Sequence, residues 1–135
     1  MIASSTFDVT TWEPAGADTP EAGPALSRVR IEKAFEGDVT GTSTGEGLFC
    51  GAGDPAAGAG YVVSERITGA IGDREGSFVI QHGGLMGPGL APHTFGNVVP
   101  GSGTGDLAGI AGTVEIGQTG DGTHTMRLNI AFAEA

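Results

Sequence analysis

The sequence predicts an all-β domain, an eight-stranded antiparallel β-barrel, from three features. Short runs rich in β-branched and aromatic residues alternate with polar ones at period 2, from T-F-D-V-T-T-W near the start to H-T-M-R-L-N-I-A-F near the end. The 26 Gly and 7 Pro fall between these runs at fairly regular intervals, the pattern of hairpin turns. No long stretch repeats its apolar side chains at the period of a helix. Sequential strands with apolar faces must stack as two sheets or close on themselves. About eight strands close around an interior just wide enough for side chains or one small ligand. The barrel is the first expectation and a two-sheet sandwich the second. The chain of 135 residues, 1–135, reads as one domain with a single core.

Taken in order, the first strand spans Thr6 to Trp12, with Phe7, Val9 and Thr11 on one face. Glu13 to Pro24, with three prolines and three carboxylates, reads as a solvated loop. Leu26 to Phe35 is the second strand; Val29, Ile31 and Phe35 share a face, and period 2 places Lys33 on it. Val39 to Cys50 is a third strand, rich in Thr and Gly. Gly51 to Gly60 is a flexible loop, since no GK[ST] follows that would make it a phosphate cradle. Tyr61 to Ile71 is the clearest strand, with Tyr61, Val63, Glu65 and Ile67 on one side and Val62, Ser64 and Arg66 on the other. Both sides are mixed, so either can face in. Gly76 to His82 pairs back on it, Phe78, Ile80 and His82 alternating with Val79 and Gln81. Gly83 to Pro92 reads as a loop, Thr94 to Val99 as a strand, Pro100 to Gly105 as a tight turn and Gly109 to Ile116 as the returning strand. Thr123 to Phe132 closes the chain, with His124, Met126, Leu128, Ile130 and Phe132 on one face.

Charge and composition exclude several functions. The formal charge is −10, and the basic residues are only Lys33, Arg28, Arg30, Arg66, Arg74 and Arg127. That leaves no basic footprint for nucleic acid, and an anionic membrane is repelled. Cys50 is alone, so neither an internal disulfide nor a cysteine zinc cluster is expected. His82, His93 and His124 lack metal-ligand spacing, so no metal is expected. The start lacks the basic and apolar regions of a signal peptide, and no apolar run has the length of a membrane helix, so a cytoplasmic protein is expected. G-T-G-D-L-A at Gly103 to Ala108 is not a dinucleotide fingerprint: strand-like residues follow it, not the helix whose N-terminus would hold a pyrophosphate. Ser102, in P-G-S-G-T, is not a nucleophile elbow. No cofactor is implied.

E-R-I-T-G (Glu65 to Gly69), G-S-F-V-I-Q-H (Gly76 to His82), V-V-P-G-S-G-T-G-D-L-A-G-I-A-G (Val98 to Gly112) and D-G-T-H (Asp121 to His124) occur in that order. With T-F-D-V-T-T-W and K-A-F-E-G-D, they make the chain resemble the bacterial DUF3224 family of uncharacterised proteins over nearly its whole length. The resemblance implies an allene oxide cyclase-like barrel. Relatives by that fold steer the cyclisation or coupling of a reactive small molecule inside the barrel, an analogy of fold alone. The resemblance also implies an aromatic near Met126, and the methionine changes the shape of any pocket lined there.

The candidate chemistry lies on presumed interior faces. Lys33 and Glu65 each need a partner if buried, so they are expected either as a structural ion pair or as a base, Glu65, oriented by Lys33. Gln81 and His82 are adjacent, so in a regular strand only one faces in: Gln81 as a donor to an oxyanion, or His82 as an acid or base. Phe35, Tyr61 and Met126 are expected to line a ligand site. Three functions follow: a cofactor-independent cyclase or isomerase for a hydrophobic small molecule, a non-catalytic ligand-binding or carrier barrel, and an interaction module with a filled core. A cavity holding Glu65 or Gln81 favours the first two. Apolar outward positions such as Val62 and Val79 add an expectation of a homo-oligomer.

Overall fold

The structure is a computed structural model that describes residues 1–51 and 53–133. Eight strands follow one another around a closed barrel: β1 (Ile2–Ala17), β2 (Leu26–Gly37), β3 (Val39–Gly51), β4 (Ala59–Ile71), β5 (Arg74–Gly87), β6 (Leu90–Val98), β7 (Ile110–Gln118) and β8 (His124–Phe132). Each pairs antiparallel with its neighbour in sequence, and β1 closes the ring on β8 from Ile2 opposite Asn129 to Phe7 opposite His124. The barrel, rather than the sandwich, is therefore the architecture. The two helical turns described, Pro55–Ala57 and Gly105–Leu107, are single 3-10 turns, so among the described residues no helix is long and apolar enough to cross a membrane.

Several boundaries differ from expectation. β1 runs on through Glu13 to Ala17, part of the stretch read as a loop, and pairs there with Ser27 to Arg30. Pro14 is tolerated because β8 stops pairing at Phe7, so beyond that point β1 is an edge whose missing N–H leaves no ladder bond unmade. The register shifts between Val9 and Thr11, a bulge that breaks the alternation: Ala3, Ser5 and Phe7 are buried, Val9 is exposed, and Thr11 lies opposite Glu32 rather than opposite the inward Ile31. The stretch Gly83 to Pro92 is not a loop either. β5 and β6 extend through it and are joined at Pro88-Gly89, the glycine at φ +72°. Its alternation was hidden because Gly83 and Gly84 contribute no side chain. Phe95 lies over Gly83, where an added Cβ would come 2.6 Å from the ring.

The segment between β6 and β7 is more than a tight turn. β6 and β7 share only the bridge Asn97 to Thr113, and the intervening arm docks across β5 instead. Thr104 N–H donates to Ser77 O at 2.8 Å, Ser77 N–H to Thr104 Oγ1 at 3.0 Å, and Val79 N–H to Ser102 Oγ at 2.9 Å. Gly76 permits the approach, since a Cβ there would lie 2.0 Å from Thr104 O. The result drives Leu107 into the end of the barrel, where it is fully buried among Ile110, Phe78 and the other core residues.

The interior is layered. A large apolar plug holds Phe7, Phe35, Val39, Ile67, Phe78 and Ile80 with Met126, Leu128 and Ile130. A smaller cluster of Val29, Ile31 and Val63, backed by Phe49 and Tyr61, lies toward the other end. Between them are the buried polar residues Lys33, Ser43, Glu65 and His82.

Replacing Leu107 by Ala is expected to cost about 2–5 kcal/mol through the cavity it opens, whereas the exposed Leu90→Ala stays within about 0.5 kcal/mol of the parent. Urea denaturation of both variants checks the pair.

Candidate functional site

Four consecutive strands each contribute one side chain to the buried polar layer. Lys33 comes from β2, Ser43 from β3, Glu65 from β4 and His82 from β5, and strand parity turns all four inward. Lys33 lies directly opposite Ser43 in the β2–β3 ladder. Glu65 accepts at both oxygens: Oε2 from Lys33 Nζ at 2.8 Å and from His82 Nε2 at 2.8 Å, Oε1 from Ser43 Oγ at 2.9 Å. The Lys33 ammonium also sits 4.5 Å from the centre of the Phe7 ring, a cation–π contact inside the barrel. Space for the carboxylate is made by Gly45, opposite Glu65 on β3, where a Cβ would lie 2.6 Å from the Glu65 Cβ.

Burial alone would push the Glu65 carboxyl up. The His82 hydrogen bond and the Lys33 charge outweigh it and hold the group down at about 2. Glu65 is therefore a carboxylate at neutral pH. Its partner at Oε2 must donate, so His82 carries a proton on Nε2. The other ring nitrogen, Nδ1, is buried and has no hydrogen-bond partner.

The structure joins the two expected residues Lys33 and Glu65 as an ion pair and decides between Gln81 and His82. His82 is inside. Gln81 is exposed on the outer face, its amide 3.4 Å from Ser64 Oγ, so its place as an interior oxyanion donor is corrected: adjacent residues of a regular strand cannot share a face. It borders a groove of about 660 Å³ with Arg28, Leu48, Val62 and Phe95, which His82 also lines. Phe35 and Met126 do not line a ligand site but pack in the apolar plug, on the far side of the polar layer from the smaller cluster. Ser43 was not anticipated. The run Thr40 to Gly45 around it is all Thr, Ser and Gly, and only the pairing with Lys33 and the bond to Glu65 single it out.

A cavity of about 330 Å³ opens at the rim, lined among others by Phe49, Tyr61, Gly84, Met86, Pro92 and Thr94. Of the expected site residues Tyr61 alone lines it; the Lys33–Glu65–His82 layer does not. Phe49 stacks on Tyr61 at 5.5 Å between ring centres, Trp12 meets Phe49 edge-on at 5.1 Å, and Tyr61 stands nearly perpendicular to the His82 ring at 6.0 Å. This aromatic row leads from the exposed Trp12 to the buried imidazole. Burial and the nearby Glu65 charge push the Tyr61 hydroxyl up, so it stays a neutral donor. Met86 and Thr94 were missed because they fall in or next to the stretch read as a loop. Among the described residues no three His, Cys, Asp or Glu side chains converge as a metal site.

Comparisons with known proteins agree with this fold and leave its role open. The model of a family described as a protein of unknown function, DUF3224, matches residues 3–130. The chain belongs to that family. It is 34% identical to a protein of unknown function of the same family from Shewanella oneidensis MR-1, whose crystal structure superposes with a TM-score of 0.89 over 100% of this chain and 98% of that one. No curated protein matches.

Removing the counter-charge with Lys33→Met is expected to cost about 3–5 kcal/mol at neutral pH, because Glu65 is left buried without it. The wild type has its Glu65 contribution in full above the ordinary carboxyl value of 4.5 and loses it as pH falls toward about 2. In the variant the carboxyl rises from about 2 toward its ordinary value and protonates earlier, so acid destabilises it less and the gap to wild type narrows. Urea denaturation at pH 7 and pH 3 tests the sign; a gap that widens in acid contradicts it.

Proposed function

We propose that this barrel binds a small hydrophobic molecule at its open rim. The observation that carries the reading is the contrast between the two ends. Leu107 and the apolar plug fill the barrel interior at one end, while the other keeps a cavity of about 330 Å³ walled by Phe49, Tyr61, Met86 and Pro92. That volume lies within the roughly 300–1,000 Å³ of small-molecule sites, and its walls have the usual apolar and aromatic character. The filled plug argues against a ligand threading the whole barrel. It favours a binding or carrier role over a module with no cavity at all.

A cofactor-independent cyclase or isomerase is the second reading. It rests on the Glu65–His82 pair buried one aromatic side chain away from the cavity. The resemblance to allene oxide cyclase-like barrels, which steer reactive molecules by orientation in a dry site, fits it. In this reading Glu65 is not itself the base, because it is held as a carboxylate at about 2 and both of its oxygens are engaged. It orients His82.

The neutral fluorescent probe N-phenyl-1-naphthylamine is expected to bind the wild type and to bind Thr94→Trp, which fills the cavity, at least about tenfold more weakly, with no change in the melting curve. Equal binding to both sinks the rim site. For the catalytic reading, a substrate turned over by Glu65→Gln at the wild-type rate would remove the Glu65–His82 pair from the chemistry.

A further inference from the structure

The rim cavity is almost wholly apolar, yet the ring that packs against its Tyr61 wall carries a polar atom with no partner. His82 is 4% exposed, its Nε2 is committed to Glu65, and its Nδ1 meets no donor or acceptor. A buried polar atom left unpaired costs roughly 1–3 kcal/mol. The positions around it supply no partner: Gly84, two residues along β5 on the same face, and Gly96, opposite on β6, carry no side chain, and neither has space for one. One side chain both lines the cavity and meets the imidazole. The Tyr61 ring lines the cavity, lies over Gly84 with Cε1 3.0 Å from where a Cβ would be, and faces the imidazole edge-on.

The protonation of the layer fixes what Nδ1 can do. Lys33 already balances the Glu65 charge within it. With the Nε2 proton engaged by Glu65, a neutral ring presents a lone pair at Nδ1 and accepts. An imidazolium would add an unbalanced charge and bury an N–H with no acceptor.

We propose that His82 Nδ1 is the polar anchor of the ligand, so that the rim cavity takes an apolar molecule carrying one hydrogen-bond donor, a phenol or alcohol rather than a hydrocarbon. Tyr61 swings off Gly84 to bring the donor to Nδ1, and Glu65 acts as a positioning residue by holding the Nε2–H tautomer. A carboxylic acid is a poorer ligand, because its anion brings a charge that the balanced layer does not neutralise. This rests on the rim-binding reading and names the ligand class for it.

The test pairs p-cresol with p-xylene, which have nearly the same shape and differ in the donor. Each is titrated into uniformly 15N-labelled protein while the His82 ring nitrogens and the backbone amides of Gly84 and Thr94 are followed by NMR. In the free protein the His82 spectrum is expected to show a protonated Nε2 and a bare Nδ1. Both compounds shift the Gly84 and Thr94 amides, and only p-cresol moves the Nδ1 resonance. In His82→Phe the affinity of p-cresol relative to p-xylene falls about tenfold, the size of one buried hydrogen bond. The spectra of the wild type decide the matter even if that variant fails to fold. Both compounds binding with Nδ1 unmoved, or a free protein protonated at Nδ1 and bare at Nε2, overturns the anchor and leaves the cavity standing. Neither compound shifting the amides overturns the cavity reading and the anchor with it.

Discussion

A single carboxylate organises the interior of this barrel. Glu65 is 3% exposed, and a charge taken that far from water is tolerable only with a counter-charge and hydrogen-bond donors at both oxygens. Lys33, His82 and Ser43 supply the donors from three other strands, so the carboxylate ties β2, β3, β4 and β5 together at one level. A one-residue slip in any of these ladders would turn its donor to the outside and leave the charge stranded. An all-apolar interior would tolerate such slips better. The ion-pair layer thus sets register as much as it adds stability, and it divides the barrel into a sealed end and an open one.

Around that layer, bulk and its absence alternate. Large inward side chains sit over inward glycines on the next strand: Glu65 over Gly45, Tyr61 over Gly84, His82 beside Gly96. In each case a Cβ at the glycine would fall 3.1 Å or less from the neighbour's side chain. An eight-stranded barrel has little interior volume. Two long polar side chains and three rings fit this half because the facing positions are empty. Many of the glycines that look like turn residues in the sequence are therefore packing positions inside strands.

The two ends show how one family fold separates stability from a site. At the sealed end the arm between β6 and β7 adds a fully buried leucine to the plug that fills the interior. At the rim, the long β3–β4 and β5–β6 hairpins carry Phe49, Tyr61, Met86 and Thr94 to the cavity. A barrel closed by backbone ladders can vary such hairpin tips without disturbing its core. The match at 34% identity to the family member of known structure extends over the whole chain, rim included.

Local chemistry in the sequence determined the strand class, the sequential antiparallel order, the inward apolar faces of β2 and β8, and the placement of Lys33 among apolar residues, because period 2 is a property of the chain itself. It did not determine where β1, β5 and β6 end. Pro14 reads as a breaker until the missing partner beyond Phe7 makes β1 an edge, and Gly83-Gly84 reads as a turn until Phe95 and Tyr61 are seen to cover it. Nor could it choose the inner face of β4, where both faces are mixed, or pick His82 over Gln81. Those choices belong to the tertiary structure. A carboxylate on β4 can face inward only where Lys33, Ser43 and His82 converge on it, and that convergence depends on the registers of four strands at once.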